Sequence, residues 1–242
     1  MTNTDALVRF VCSRLAEKAD PQRAIPMQAY LKTKMPMLGV SKPDVRKVVR
    51  QTKKLHPLDS VEALTEAVLA LWEQPHRETH YVAIHLTEAY KQWIGVPSLP
   101  LYEKMIREGA WWDLVDPVAS NLLGIALLRN RASVAPLMEK WIRDPDRWIR
   151  RTALLSQLRH KGNADENTLF QHCLLQASEQ DFFIRKAIGW ALRTHSIERP
   201  EAVVRFIDQH SDVLSRLSVT EGSRRLVRSG YQPPSKHKTR SP

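Results

Sequence analysis

The chain has 242 residues, and its 37 Lys and Arg outweigh 26 Asp and Glu for a formal net charge of +11. An excess of that size points to a polyanionic partner, most simply nucleic acid. Two cysteines, Cys12 and Cys173, form no CxxC pair or zinc spacing, which excludes a disulfide scaffold or a zinc module and fits a reducing compartment.

Eight glycines, with long runs free of both Gly and Pro, favour helices over a turn-rich sheet. No apolar run approaches the ~20 residues that span a bilayer. The opening MTNTDALVRFVCSRL lacks the basic leader and long apolar segment of a signal peptide. The expectation is a soluble cytoplasmic monomer with no membrane contact.

Residues 4–18 predict an amphipathic helix with Ala6, Phe10, Val11 and Leu15 on one face, capped by Thr4 or Asp5. A short helix follows a proline turn, around Met27 to Lys34, and carries Tyr30. Ser41 as cap, Pro43 in the first turn and Asp44 beside it predict the next helix start. Its basic residues are Lys42, Arg46, Lys47 and Arg50.

From residue 59 the chain alternates helices and turns. DSVEALTEAVLALWEQ is capped at Asp59 or Ser60, and HRETHYVAIHLTEAYKQW follows. SLPLYEKMIREG is capped by Ser98 and closed by Gly109, and AWWDLVDPVASNLLG comes next. SVAPLMEKWIRD, DRWIRRTALLSQLRHK, ENTLFQHCLLQAS, DFFIRKAIGWALRTHS and RPEAVVRFIDQHS complete the series.

DRWIRRTALLSQLRH and DFFIRKAIGWALRTH match at an offset of 35, pairing Asp146 with Asp181, Ile149 with Ile184, Arg150 with Arg185 and His160 with His195. A period near 35 in paired helices is the mark of an α-solenoid. The period is short for HEAT repeats and near the tetratricopeptide length, without that consensus. The expected fold is all-α: one HEAT-like repeat domain over 1–228, with second helices lining a concave basic groove, and a basic, disordered tail over 229–242. Those second helices hold Trp112, Asp116, Arg150, Arg151, Arg159, Arg185, Lys186, Trp190 and Arg193.

Trp112 and Asp116 lie four apart and share a helix face. The competing structural reading is a core tryptophan beside an aspartate that caps a helix or pairs with an arginine. Spacing leaves Asp113 an equal candidate, and Trp111 reads as core. Arg150 and Arg151 point about 100° apart on a helix, so one faces a groove and the other a rim or a salt bridge. Gly189, before Trp190, permits close approach by a ligand or by a packing helix. His76, His80 and His85 do not make a metal set, and no GxSxG, phosphate loop or Cys/His pair occurs.

The ordered segments AWWDLVD, DRWIRRTALLSQL and DFFIRKAIGWALR resemble the bacterial DNA alkylation repair glycosylases of the AlkD type. DPQRAIPMQAYLKTKMPMLGVSKPDVR is similar to that family's N-terminal region, so the resemblance covers roughly residues 18 to 210. It implies HEAT-like repeats curved around duplex DNA and a cofactor-free, monofunctional glycosylase for N3- and N7-alkylated purines. It implies Asp116 as the catalytic aspartate, Trp112 and Trp190 as active-site tryptophans, and Arg151 as the functional arginine holding a phosphate near the lesion. Tyr30 is the implied aromatic near the lesion, and Ser41, Lys42, Arg46, Arg159 and Arg193 the implied DNA-backbone contacts. The alternative is a non-catalytic HEAT-like DNA-binding protein, for which a carboxylate facing phosphates is a disadvantage. A protein-interaction solenoid with incidental charge is a third reading, separable by the salt dependence of DNA binding.

Overall fold

A computed structural model of the chain describes residues 3–234, and the described residues are helices and turns without strands. They divide into two compact units, Met1–Leu101 and Tyr102–Pro242. No described helix is long and apolar enough to cross a membrane.

The first unit holds α1 (Asn3–Ala16), α2 (Pro21–Leu31), α3 (Lys42–Leu55), α4 (Val61–Trp72) and α5 (Arg77–Ala89). The buried face of α1 is Leu7, Val11 and Leu15, while Ala6 and Phe10 lie at its edge. The expected face was thus rotated: Phe10 sits against His56 and carries Arg14 over its ring. Thr4 and Asp5 are inside α1, which begins before them.

α2 also starts earlier than expected. Asp20 caps it, accepting from the Arg23 N–H at 3.0 Å, and Pro21 takes the first position, where a missing N–H costs nothing. Pro26 lies within the helix instead of before it, and Lys32 ends it with a left-handed backbone at φ 51°. Ser41 caps α3 as the sequence indicates, and Ser60 rather than Asp59 caps α4.

One buried carboxylate organises the approach to α3. Glu78, in the first turn of α5, is fully buried. Its Oε2 accepts from the Leu38 N–H at 3.0 Å, and its Oε1 from Gly39 and Val40 at 2.8 and 3.3 Å. The Arg77 N–H reaches the Pro36 carbonyl at 2.9 Å. A loop with no secondary structure of its own thus has its N–H groups satisfied by an acid 40 positions away, which sets where Ser41 starts α3.

α6 (Leu99–Gly109) leads into the second unit. Ser98 does not cap it by side chain; its hydroxyl donates to the Trp93 carbonyl at 2.8 Å. Past α6 the left-handed position falls on Ala110 (φ 34°), one beyond Gly109.

The second unit alternates two sets of helices. The first set is α9 (Arg131–Trp141), α11 (Glu166–Leu175) and α13 (Pro200–His210). The second set is a continuous run, α7 (Trp112–Pro117), a π-helical turn (Val118–Leu123) and α8 (Gly124–Arg129), followed by α10 (Arg147–Leu155), α12 (Phe182–His195) and α14 (Arg216–Val227). Members of the second set pack against one another in chain order, each leaning on a first-set helix. This is the paired-helix arrangement of an α-solenoid. The positions capping the second set are Trp111, Asp146, Asp181 and Ser215, so the repeat recurs every 34 to 35 residues. Ile149 and Ile184, matched in the sequence, are both fully buried.

α14 was not foreseen. It packs closely along α12 through small residues. A Cβ on Gly189 would come 2.5 Å from Glu221 Cβ and 2.9 Å from the Ser218 carbonyl, and one on Gly222 3.1 Å from Leu192 Cβ. Gly189 is therefore a packing notch, not an opening for a ligand.

Cys173 on α11 is fully buried, and burial pushes its thiol up to about 12. Burial also raises the Cys12 thiol. Of the expected tail, residues 235–242 lie outside the described residues. In the described part, Tyr231 donates its hydroxyl to Asp208 at 2.7 Å.

Replacing Glu78 with Ala leaves three N–H groups of the 38–40 loop without their acceptor. The expected loss is about 2–4 kcal/mol, seen as a lower urea midpoint at unchanged slope. A Glu78→Ala midpoint equal to that of the parent refutes the anchoring role.

Candidate active site

Four features of the sequence converge on the start of the second helix set. Trp111 precedes α7 in extended conformation (φ −153°) and offers no side-chain cap. Where later repeats place Asp146 and Asp181, this repeat places an indole. It packs against Trp148 and Phe183, with centroids 5.7 and 5.2 Å away, and those two rings are 4.9 Å apart. Arg147 lies over both Trp148 and Phe183 and pairs with Asp181 at 2.9 Å. Asp181 in turn caps α12 by accepting from the N–H groups of Phe183 and Ile184.

Asp116 lies one turn beyond Trp112 on α7, and only 8% of it is exposed. Arg151 of α10, 5% exposed, grips it with two bonds, Nε to Oδ1 at 2.7 Å and Nη2 to Oδ2 at 2.8 Å. The Arg151 Nη1 donates to the Phe183 carbonyl at 2.5 Å. This fork-to-fork geometry fixes the plane and direction of the carboxylate. The structural reading of the aspartate, pairing with arginine, is realised, and the pair is Asp116 with Arg151.

The helix itself is altered at this point. Pro117 lacks the N–H that would bond the Asp113 carbonyl, and the next six residues are wound as a π-helix. Ser120 supports the same turn by donating its hydroxyl to the Asp116 carbonyl at 2.8 Å. Asp116 is thus held from its side chain by α10 and at its backbone by the widened turn.

Electrostatics at the carboxylate are a contest. Burial is the largest influence and pushes the Asp116 carboxyl above its ordinary value; the hydrogen bonds and charge of Arg151 pull it down, and Asp113 pushes it up. The net direction is upward. Burial makes this acid costly to ionise and one arginine offsets part of that cost, the kind of opposed environment that gathers at functional sites and also occurs in structural ion pairs.

Other expected site residues fall in separate places. Trp112 and Trp190 are half-buried on α7 and α12. Arg150 is tied to Glu179, Gln176 and the carbonyls of Asp144 and Pro145, the salt-bridge alternative of the sequence reading. Arg193 pairs with Glu221 of α14, an acid the sequence reading did not single out. Arg159 is exposed after α10, beside a cleft of about 340 Å³ lined by Leu154, Ala191 and His195. Tyr30 (74% exposed), Ser41, Lys42 and Arg46 belong to the first unit. Ser41 is occupied there as the cap of α3, and Lys42 and Arg46 are exposed.

The site is thus a buried, arginine-gripped aspartate one turn from a tryptophan, on a stack of paired helices in a chain of high positive charge. Residues 11–226 match the family described as DNA alkylation repair enzyme, and the chain belongs to that family. A solved structure from Enterococcus faecalis, described as a predicted DNA alkylation repair enzyme, is 28% identical and superposes with a TM-score of 0.79 over 86% of this chain and 97% of its own. No curated protein matches the chain.

Removing the arginine tests the pair. Arg151→Met leaves a buried carboxylate without its counter-charge, and the expected loss of stability is about 3 kcal/mol at pH 8. Without Arg151 the Asp116 carboxyl rises further above its unfolded value. The penalty is then full above that raised value and fades as falling pH protonates the acid. Urea unfolding at pH 8 and pH 5 reads this, and an equal loss at both pH values contradicts it.

Proposed function

We propose that this DNA repair protein is a glycosylase that hydrolyses the N-glycosidic bond of N3- and N7-alkylated purines in duplex DNA. The observation that carries this reading is Asp116, buried, aimed by Arg151 and one turn from Trp112. Alkylation at N3 or N7 gives the purine a formal positive charge, so it departs as a neutral base without a general acid. What remains is to stabilise the cationic sugar that develops and to direct a water at it. One fixed carboxylate does both, and it acts more strongly where water is largely excluded.

The roles then divide by chemistry. Asp116 faces the developing charge on the sugar and positions water. Trp112 and Trp190 offer ring faces to a cationic base or sugar, each worth ~0.5–2 kcal/mol. Arg151 orients Asp116 and opposes its protonation. The resemblance gives this residue a phosphate; the three bonds to Asp116 and Phe183 leave one N–H on each Nη for such a contact. Tyr30, Ser41, Lys42, Arg46, Arg159 and Arg193 contact the duplex, with the lysine and arginines neutralising phosphates. The HEAT-like form of the repeats, monomeric action and a cytoplasmic place complete the proposal.

Release of 7-methylguanine or 3-methyladenine from methylated duplex DNA is the test. Asp116→Asn is expected to slow release by about 100-fold, the scale of losing one preorganised electrostatic group. Parent activity requires the carboxylate, so it is full above the raised value of Asp116 and falls as pH drops through it. Undiminished release by Asp116→Asn refutes the mechanism. A parent protein that binds DNA without releasing base leaves the non-catalytic reading in its place.

A further inference from the structure

Asp116, Arg151, Lys186 and Glu221 occupy one register position, 35 residues apart, on successive second-set helices. They pair as two couples: Asp116 with Arg151, and Lys186 Nζ with Glu221 Oε2 at 2.8 Å. The first couple is balanced, one acid against one base, both nearly buried.

The second couple is not balanced. Glu221 is 4% exposed, and it also takes Arg193 on its Oε1 and Arg224 near its Oε2 at 3.2 Å. Three cations share one carboxylate, an excess of two positive charges. Burial, then the charge of Arg224, holds both Lys186 and Arg193 below their ordinary values, and Arg193 presses further on Lys186. A single cation would neutralise a structural acid; the other two add repulsion. Yet the cationic side chains keep 29–56% exposure, against 5% for Glu221. The acid is hidden beneath them, while part of each cationic side chain stays at the surface. Lys186 and Arg193 also flank Trp190 at helical spacing on α12, so the cluster shares a face with a tryptophan assigned to the lesion.

We propose that Lys186, Arg193 and Arg224 form a clamp for one DNA backbone phosphate, and that Glu221 is its positioning residue, gathering three mutually repelling heads into one anion-sized cradle. The proposal rests on the DNA-acting function given above. It adds Lys186 and Arg224 to the contacts, and it gives a buried acid a part in binding a polyanion. The surplus cations find in a phosphate the counter-charge that Glu221 alone cannot supply.

The sign of one substitution separates this from charge counting. Glu221→Gln removes a negative charge, so a simple field argument predicts tighter DNA binding. Loss of the positioning residue predicts the reverse, about 10-fold weaker binding of a short fluorescent duplex at moderate salt. A second variant, Lys186→Met with Arg224→Met, leaves Glu221 its Arg193 partner and decides the matter if Glu221→Gln does not fold. It is expected to lower the slope of log affinity against log salt by about 0.9, one phosphate's worth. Equal or tighter binding by folded Glu221→Gln, or an unchanged slope in the double variant, overturns the clamp while the function stands. A parent protein with no salt-dependent DNA binding overturns both together.

Discussion

Side-by-side packing of the second-set helices, in a single register, is the constraint on which the second unit depends. α10 and α12 have no core to enter other than the one they make with their neighbours and the helices leaning on them. Ile149 and Ile184 disappear into those seams, and burying each is worth about 1.5–3 kcal/mol. Because start points recur every 34 to 35 residues, equivalent positions are brought next to each other. Position 116 meets 151, and 186 meets 221, for no reason beyond this periodicity.

The two couples show how one geometry yields opposite electrostatics. In Asp116 and Arg151 the fork of the guanidinium meets both carboxylate oxygens, and little of either reaches solvent. In Lys186 and Glu221 the same placement is opened by two further arginines, so charge is exposed outward instead of cancelled inward. The proposed function would give each a use: a carboxylate for a cationic sugar, and positive charge for the phosphates beside it.

Much of this was legible in the sequence, and the failures have physical causes. Ser41 announced a helix start because a short oxygen-bearing side chain satisfies free N–H groups wherever it stands, and Asp146 and Asp181, matched only as repeat positions, cap helices in the same way. The match of Asp146 with Asp181 gave the period, and spacing joined Trp112 to Asp116. Spacing could not rank Asp113 against Asp116, since only the helix opposite decides which acid meets Arg151. α14 was hidden for the opposite reason. Where it meets α12 it offers Ser218 and Gly222, small residues that let it approach closely. On paper such residues look like helix breakers, because the advantage of smallness belongs to the contact and not to the segment. Glu78 was equally hidden, its acceptors being spent on a loop about 40 residues earlier. Phe10 misled because a large ring at a helix edge, shared with His56 and Arg14, has the same periodicity as one inside.

Electrophiles that alkylate purines also alkylate sulfur, and they attack the thiolate far faster than the thiol. Cys173 has no exposed surface and a thiol pushed up to about 12, so near pH 7 it stays in the unreactive protonated form. Cys12 is shifted the same way by its partial burial. The packing that closes α11 against its neighbours therefore has a chemical meaning beyond stability. In a protein of an alkylation repair family, Cys173 is thus a thiol that burial keeps both covered and protonated.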